Sequence, residues 1–133
     1  MRSNKQKKIE KLKMSLATYL AVYKKNIPFA FIFGSYARAQ QTPHSDIDIA
    51  IYFKGLNERT KFKIEHALSM LFDEPVSVLS LEDEDISFSL KLEAVQGIPI
   101  MINDPDSLNQ FILRTIHKAE EERHVIGRLR RTA

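Results

Sequence analysis

Two aspartates near the middle of the chain are the residues most suited to chemistry. Asp46 and Asp48 stand on either side of Ile47, at the start of an apolar segment that favours a β-strand. Side chains alternate between the two faces of a strand, so both carboxylates project from the same side. Adjacent carboxylates repel unless a proton or a cation lies between them, and their oxygens are ligands that Mg²⁺ prefers. The pair therefore predicts a magnesium site, with a solvated strand end as the alternative interpretation.

A glycine–serine pair upstream offers a means of holding phosphate. Gly34 and Ser35 directly follow the apolar run 29–33, which begins after Pro28 and predicts a buried strand. Glycine lets a phosphate approach the backbone closely, and a serine hydroxyl with the free N–H groups of a helix start can hold phosphate oxygens. Taken alone, the pair is a weak signal, because a glycine–serine pair is usually just a turn.

The spacing of the two pairs is more informative than either pair alone. Ten residues, 36–45, separate Ser35 from Asp46. A strand, a turn, a short helix and a loop in that order would bring the phosphate cradle beside the carboxylates. Chance matches to four such fixed residues arise in roughly a few per thousand chains of this length. We therefore interpret the combination as a functional site.

The elements that must position this site alternate between helices and strands. Hydrophobic periodicity and turn signals predict strands at 29–33, 47–53, 76–81 and 98–102, and helices at 5–25, 36–41, 57–72, 82–95 and 104–131. Pro99 marks the last strand as an edge strand. No repeat or linker divides the chain, so we expect a single domain over 1–133. Its class is α/β, with one layer of helices packed on a mixed four-stranded sheet.

Composition narrows the class of protein. The chain has 133 residues, 44% of them hydrophobic and 28% charged. It contains no cysteine, which excludes a disulfide framework, a thiolate metal site and a cysteine nucleophile. No apolar stretch has the length that a bilayer requires and no signal peptide is recognisable. We therefore expect a cytoplasmic protein with no membrane partner.

The net charge of +3 is distributed unevenly. Residues 1–25, which include the predicted amphipathic helix, carry eight lysines and arginines against a single acid, Glu10. Such a helix presents either a solvated basic face or a surface for nucleic acid or an acidic partner. We favour the solvated face, because no aromatic interleaving or base-reading motif accompanies the charges. Nucleic acid is therefore not expected as a direct ligand.

The pattern Gly34-Ser35, ten residues, Asp46-Ile47-Asp48 resembles the signature of the polymerase-β-like nucleotidyltransferase superfamily. With Arg38 in the turn, and on so short a chain, it is similar to the minimal nucleotidyltransferases that are paired with HEPN toxins, as in the MntA-type antitoxins. The resemblance covers most of the chain in layout, while its specific residues are confined to about 33–53.

The resemblance implies a nucleotidyltransferase fold and the transfer of AMP from ATP with Mg²⁺. Gly34, Ser35 and Arg38 would bind the nucleotide, and Asp46 and Asp48 would be the catalytic residues that hold the metal. An arginine on a helix surface is the alternative interpretation of Arg38. The resemblance also implies a HEPN toxin as partner in a hetero-oligomer, with a tyrosine of that toxin as the acceptor of AMP. The chain would then be an antitoxin that adenylylates (AMPylates) its toxin.

One position departs from the resemblance. Relatives carry a third carboxylate on a later strand, where this chain has Ser77 within the predicted strand 76–81. Serine is neutral and a poorer metal ligand than aspartate, so the change should weaken the metal site. Three explanations stay open: a weakened enzyme with two carboxylates, a substitute acid among Asp73, Glu74 and Glu82, or a lost activity.

Other functions receive less support from the sequence. A binding-only antitoxin, which neutralises its toxin without chemistry, is the main alternative. A transferase acting on a small molecule would normally need a further domain for the acceptor. Ser35 has no evident His–Asp partners for a hydrolase triad, and the P-loop pattern is absent. His44 is more consistent with a solvated loop side chain than with a phosphate ligand.

Overall fold

The computed structural model describes residues 3–42 and 45–132, and of 124–132 only the backbone. Within these residues, helices and strands alternate as the sequence predicts. The helices are α1 (Asn4–Leu20), α2 (Gly34–Ala37), α3 (Glu58–Leu71), α4 (Phe88–Ala94) and α5 (Pro105–Thr132), and the strands are β1 (Phe29–Phe33), β2 (Ile47–Tyr52), β3 (Val76–Ser80) and β4 (Ile98–Ile102). None of the helices in the described part of the chain is long and apolar enough to cross a membrane.

The four strands form one mixed sheet in the order β3-β2-β1-β4. β2 is antiparallel to β1 and parallel to β3, and β4 is antiparallel to β1. The parallel pair is joined through α3, because parallel strands need a crossover connection. β4 lies at an edge, where Pro99 is tolerated because one side of the strand has no ladder to complete. The predicted α/β class with a mixed four-stranded sheet is confirmed.

Helices cover both faces of this sheet, so the expectation of a single helical layer is wrong. On one face, α1 and α3 bury Leu16 and Leu68 against Ile49 and its neighbours. On the other face, α4 and α5 bury Ala94 and Phe111 against the opposite side chains of β1 and β2. Every residue of β1 is apolar and four of the five are buried, as expected of a strand that is covered on both sides.

The acidic segment 82–85 forms turns and does not begin a helix, contrary to the prediction. The Glu82 carboxylate accepts hydrogen bonds from the Phe53 amide at 3.0 Å and from the Lys61 ammonium at 2.9 Å. These bonds hold the segment against the end of β2 and against α3. The α4 helix starts only after Ser87, whose hydroxyl caps its first turn.

Several other helix boundaries also differ from the prediction. The N-terminal helix ends at Leu20, and the chain continues as a 3₁₀ segment over Ala21–Asn26. The α2 helix begins at Gly34 itself and ends at Ala37, whereas the sequence predicts a helix over 36–41. At the start of α5, the Asp104 carboxylate accepts hydrogen bonds from the Ser107 amide at 3.2 Å and the Ser107 hydroxyl at 2.7 Å. This bonding is an N-cap, which explains the position at which the last helix begins.

Candidate active site

The β2 strand carries the two aspartates to one end of the sheet. Asp48 is in register with Phe33 of β1 on one side and with Ser77 of β3 on the other. Asp46 precedes the first residue of the strand and is exposed, whereas Asp48 is partly buried. Ala50, two residues after Asp48, packs in the α4–α5 layer. Because side chains two apart share a face, the carboxylates lie at the rim of that layer.

Gly34 packs directly against Asp48. Its φ of +72° lies in the left-handed region, which favours glycine. A Cβ atom at this position would stand 2.3 Å from Oδ2 of Asp48, far inside the contact distance of two unbonded atoms. Glycine is therefore needed both for the backbone conformation and for the position of the carboxylate. The structure brings the glycine turn and the aspartate pair together, as their spacing suggests.

Ser35 and Arg38 complete the turn. Ser35 is partly buried, and its carbonyl oxygen accepts a hydrogen bond from the Gln40 amide at 2.9 Å. The Arg38 side chain is 55% exposed, with Nη1 3.5 Å from Oε1 of Glu93. Its Nε donates to Oε1 of Gln40 at 3.3 Å. These contacts hold the guanidinium on the same rim as the aspartates, where its positive charge partly offsets the rise in the pKa of Asp48 that burial causes.

Glu93, in the last turn of α4, is a site residue that the sequence analysis missed. Its carboxylate contacts Arg38, and its negative charge is among those that raise the pKa of Asp48. Nothing in the local sequence distinguishes it from any glutamate on a helix surface. Glu93 is far along the chain from Asp48, and only the packing of α4 on β1 brings it to the same rim.

The electrostatics of the site favour a bound cation. Burial raises the pKa of the Asp48 carboxyl above its ordinary value, and the negative charges of Asp46 and Glu93 raise it further. The positive charge of Arg38 opposes this shift. A divalent cation beside the aspartates would favour their charged forms and remove the mutual repulsion.

The donor set fits Mg²⁺ that is bound together with substrate phosphates. Among the side chains that the structure describes, no three His, Cys, Asp or Glu are grouped so that they could hold a metal ion by themselves. Mg²⁺ is commonly held by one or two carboxylates, with water and phosphate oxygens completing its octahedron. Asp46 and Asp48 provide such a pair, and Gly34 keeps the adjoining backbone free of a side chain.

The acids considered as substitutes at the Ser77 position do not join the pair. Glu74 forms an ion pair with a lysine of α1, on the opposite face of the sheet. Glu82 follows the end of β3, and because β3 runs parallel to β2 it lies at the other end of the sheet from Asp48. Asp73 is exposed and is not among the charges that shift the pKa of Asp48.

Ser77 itself is exposed beside Asp48, and His44 lies outside the described residues.

Comparison with known proteins places this geometry in a family. Residues 10–106 match the family model described as "Polymerase beta, Nucleotidyltransferase". The chain belongs to this nucleotidyltransferase family. The matched region includes the glycine turn, the aspartate pair and all four strands. The resemblance to the polymerase-β-like superfamily, and the fold that it implies, are therefore confirmed.

Several solved structures that share this nucleotidyltransferase fold are toxin–antitoxin structures. A crystal structure of a toxin–antitoxin with AMP-PNP has a TM-score of 0.69 at 21% identity, over 88% of this chain and 97% of that chain. The toxin–antitoxin MntA-HepT has a TM-score of 0.61 at 18% identity, over 88% and 95%. At these identities the likeness establishes the fold, in agreement with the resemblance to the MntA-type antitoxins. The search of curated proteins found no match.

Proposed function

We propose that this protein is a Mg²⁺-dependent adenylyltransferase that attaches AMP from ATP to a HEPN toxin and thereby acts as its antitoxin. The observation that carries this proposal is the packing of Gly34 against Asp48, with Asp46 on the same rim. A triphosphate held at the glycine turn would lie directly beside the two carboxylates. Membership of a nucleotidyltransferase family supports this reaction class.

Each residue of the site has a distinct role in this proposal. Gly34 admits the triphosphate close to the backbone, and the Ser35 hydroxyl donates to a phosphate oxygen. Arg38 offers a planar guanidinium, which binds phosphate through charge-assisted hydrogen bonds. Asp46 and Asp48 hold Mg²⁺, which when bound neutralises charge on the triphosphate and on the departing pyrophosphate.

In the transfer step, bonds form and break between the acceptor and ATP, and the protein forms no covalent bond. The oxygen of the acceptor hydroxyl attacks the α-phosphorus of ATP, and the bond from that phosphorus to the bridging oxygen of the β-phosphate breaks. Pyrophosphate leaves, and the hydroxyl proton passes to a site carboxylate or to water. Positioning and electrostatics supply most of the rate in such reactions. A carboxylate on a central strand, paired on both sides, is suited to that task.

A toxin as partner is supported by the solved structures with the same fold. They are toxin–antitoxin structures, one of them with the ATP analogue AMP-PNP. We infer that a HEPN toxin supplies the acceptor hydroxyl, a tyrosine in this proposal, and forms a hetero-oligomer with this chain. The complex would act in the cytoplasm, where ATP is available.

A binding-only antitoxin is the second candidate, and Ser77 favours it. Ser77 is in register with Asp48 on the neighbouring strand. It places a neutral hydroxyl where a third carboxylate would strengthen a metal site. In that case the fold would neutralise the toxin by forming the complex alone.

Intact-mass analysis of the partner distinguishes the two candidates. A candidate HEPN toxin is incubated with ATP, Mg²⁺ and one of three proteins: the wild type, Asp46→Asn/Asp48→Asn, or Glu58→Gln. Glu58 is the matched control, because its 91% exposed carboxylate lies on α3, on the other face of the sheet. We expect the partner to gain AMP with the wild type and the control, and not with the double variant.

A gain of AMP with the double variant would refute the roles assigned to the aspartates. No gain with any of the three proteins, while a stable complex still forms and the toxin is neutralised, would favour the binding-only antitoxin.

A further inference from the structure

A cavity of about 600 Å³ lies between α4 and α5, at the end of the sheet opposite the aspartates. Tyr52, the last residue of β2, and Leu81, which follows β3, both line it. Asp46 and Asp48 stand at the start of β2, so the proposed transfer does not use this cavity. Its volume is within the range of about 300–1,000 Å³ that is typical of small-molecule sites.

Lys91 of α4 is a buried cation in the wall of this cavity. The residue is only 5% exposed, and its Nζ lies 5.4 Å from the centre of the ring of Phe88, a second wall residue. Among the side chains that the structure describes, no carboxylate forms an ion pair with this ammonium. Lysines are almost never fully buried unless they are paired, so this one calls for an explanation.

The burial of Lys91 opposes folding in the ligand-free protein. Removal from water lowers the pKa of the ammonium, and the attraction of Asp83, Glu82 and Glu84 only partly offsets this shift. An apolar side chain of similar size would fill the same space without losing hydration of a charge. A bound anion would remove this disadvantage, because it would give the ammonium a partner.

Two further cations line the cavity from α5, Arg114 and Lys118. Nζ of Lys118 lies 3.5 Å from Oε2 of Glu121, whereas Arg114 is exposed and forms no ion pair with the described side chains. A guanidinium binds phosphate oxygens through two parallel charge-assisted hydrogen bonds. Arg114 and Lys91 thus bring two cations without partners to one cavity.

The carboxylates of the lining do not neutralise these two cations. Glu82 lines the cavity, but its carboxylate already accepts a hydrogen bond from the Lys61 ammonium at 2.9 Å. Glu84 is the other acid of the lining, and it is exposed. Lys91 and Arg114 therefore outnumber the remaining carboxylate, which favours a ligand with more than one negative charge.

Aromatic side chains form much of the rest of the wall. Tyr52, Phe88 and Phe111 line the cavity, and the rings of Tyr52 and Phe111 pack edge to face with their centres 5.6 Å apart. Such rings provide an apolar surface on which a flat ring can pack or stack. The lining therefore combines a surface for a ring with cations for a phosphate.

We propose that this cavity binds a small phosphate monoester that carries an aromatic ring, with Lys91 and Arg114 on the phosphate and the aromatic side chains on the ring. The site goes beyond the proposed function and does not depend on it, because the triphosphate of the transfer would be held at the other end of the sheet.

Nuclear magnetic resonance of the ¹⁵N-labelled full chain, without metal, tests the proposal. The probe is AMP, which has both parts of the expected ligand, while adenosine lacks the phosphate and inorganic phosphate lacks the ring. Shifts of the amides of Phe88, Lys91 and Thr115 report the cavity, whereas those of Gly34 and Ser35 report the glycine turn. We expect AMP to shift the cavity amides, and each of the other two probes to bind there at least about tenfold more weakly.

Three variants separate a ligand site from a structural lysine. Lys91→Met keeps a long side chain and removes its charge, so it should weaken AMP binding at the cavity by about tenfold or more and raise the urea midpoint of the ligand-free protein. Arg114→Gln changes an exposed residue and should weaken AMP binding about two- to fivefold. Lys63→Met, at an exposed position of α3 on the other face of the sheet, should leave it unchanged.

An AMP titration that shifts no cavity amide would overturn the proposal. An AMP affinity that Lys91→Met leaves unchanged would do the same, because the side chain would then only cover apolar surface. Adenosine or inorganic phosphate binding as tightly as AMP would refute the pairing of ring and phosphate. The proposed function is judged separately, by the mass of the partner toxin, and Lys91→Met should transfer AMP as the wild type does.

Discussion

Replacing Gly34 with alanine should damage both the stability of the protein and its metal site. The residue has a φ of +72°, and the added Cβ would stand 2.3 Å from Oδ2 and 3.2 Å from Cγ of Asp48. A left-handed backbone costs a residue with a Cβ about 1–2 kcal/mol. Overpacking adds about 1–3 kcal/mol, so we expect the free energy of unfolding to fall by about 2–5 kcal/mol.

The chain offers a matched control for the backbone part of this cost. Gly55 has a φ of +75°, and a Cβ there would meet its nearest atom, Nδ2 of Asn26, at 3.5 Å, an ordinary contact. Gly55→Ala should therefore show the conformational cost alone, about 1–2 kcal/mol. The excess cost of Gly34→Ala over Gly55→Ala measures the collision with Asp48.

Urea unfolding gives both free energies, and a double-mutant cycle with Asp48→Ala tests the cause. Without the Asp48 carboxylate, Gly34→Ala should cost no more than Gly55→Ala. Mn²⁺ binding with AMP-PNP should be lost in the Gly34→Ala protein, because the carboxylate is displaced. If Gly34→Ala costs the same as Gly55→Ala and still binds Mn²⁺, contact with Asp48 is not the reason for glycine at this turn.

Three further substitutions have outcomes that the structure determines. Because burial and neighbouring acids raise the pKa of Asp48, folding disfavours its charged form; Asp48→Asn should therefore raise the thermal stability of the ligand-free protein at neutral pH. That gain in stability should vanish as the pH falls below 3.8, the ordinary pKa of an aspartate, because Asp48 is then protonated in both the folded and the unfolded protein. An Asp48→Asn protein that is less stable than the wild type at neutral pH would contradict this prediction. Glu82→Gln should lower the free energy of unfolding by about 1–3 kcal/mol, because it weakens the partly buried bond with Lys61. It should leave AMP transfer intact, and a folded variant without transfer would restore Glu82 as a candidate metal ligand. Gly97→Ala should destabilise the protein by about 3 kcal/mol, because a Cβ would stand 2.1 Å from the Ile32 carbonyl oxygen, which cannot turn away as a side chain can. An unchanged urea midpoint would contradict this prediction and show that β1 and the turn at Gly97 can move apart.

The strands could be predicted from the sequence because their signals are local. The apolar runs that become β1 and β4 have the predicted bounds, and β2 and β3 each end one residue early. The α4 helix was harder to predict, because the acids at 82–85 are equally suited to a helix start and to turns. A contact with Lys61, on another element, decides between the two.

The number of helical layers also depended on tertiary contacts. An amphipathic helix shows in its sequence which side is buried, but not against which face of a sheet it packs. The sequence of β1 was the one local indication of two layers, because a strand that is apolar at every position has to be covered on both faces.

The sequence by itself determined the α/β class, the glycine turn and the aspartate pair, because these depend on residue types and on spacing over a few positions. Only the tertiary structure decided that Gly34 contacts Asp48, that Ser77 lies in register beside it, and that Glu93 reaches the same rim. Those contacts join residues far apart in the chain. They arise from strand order and from the packing of α4, and neither is encoded in any single segment.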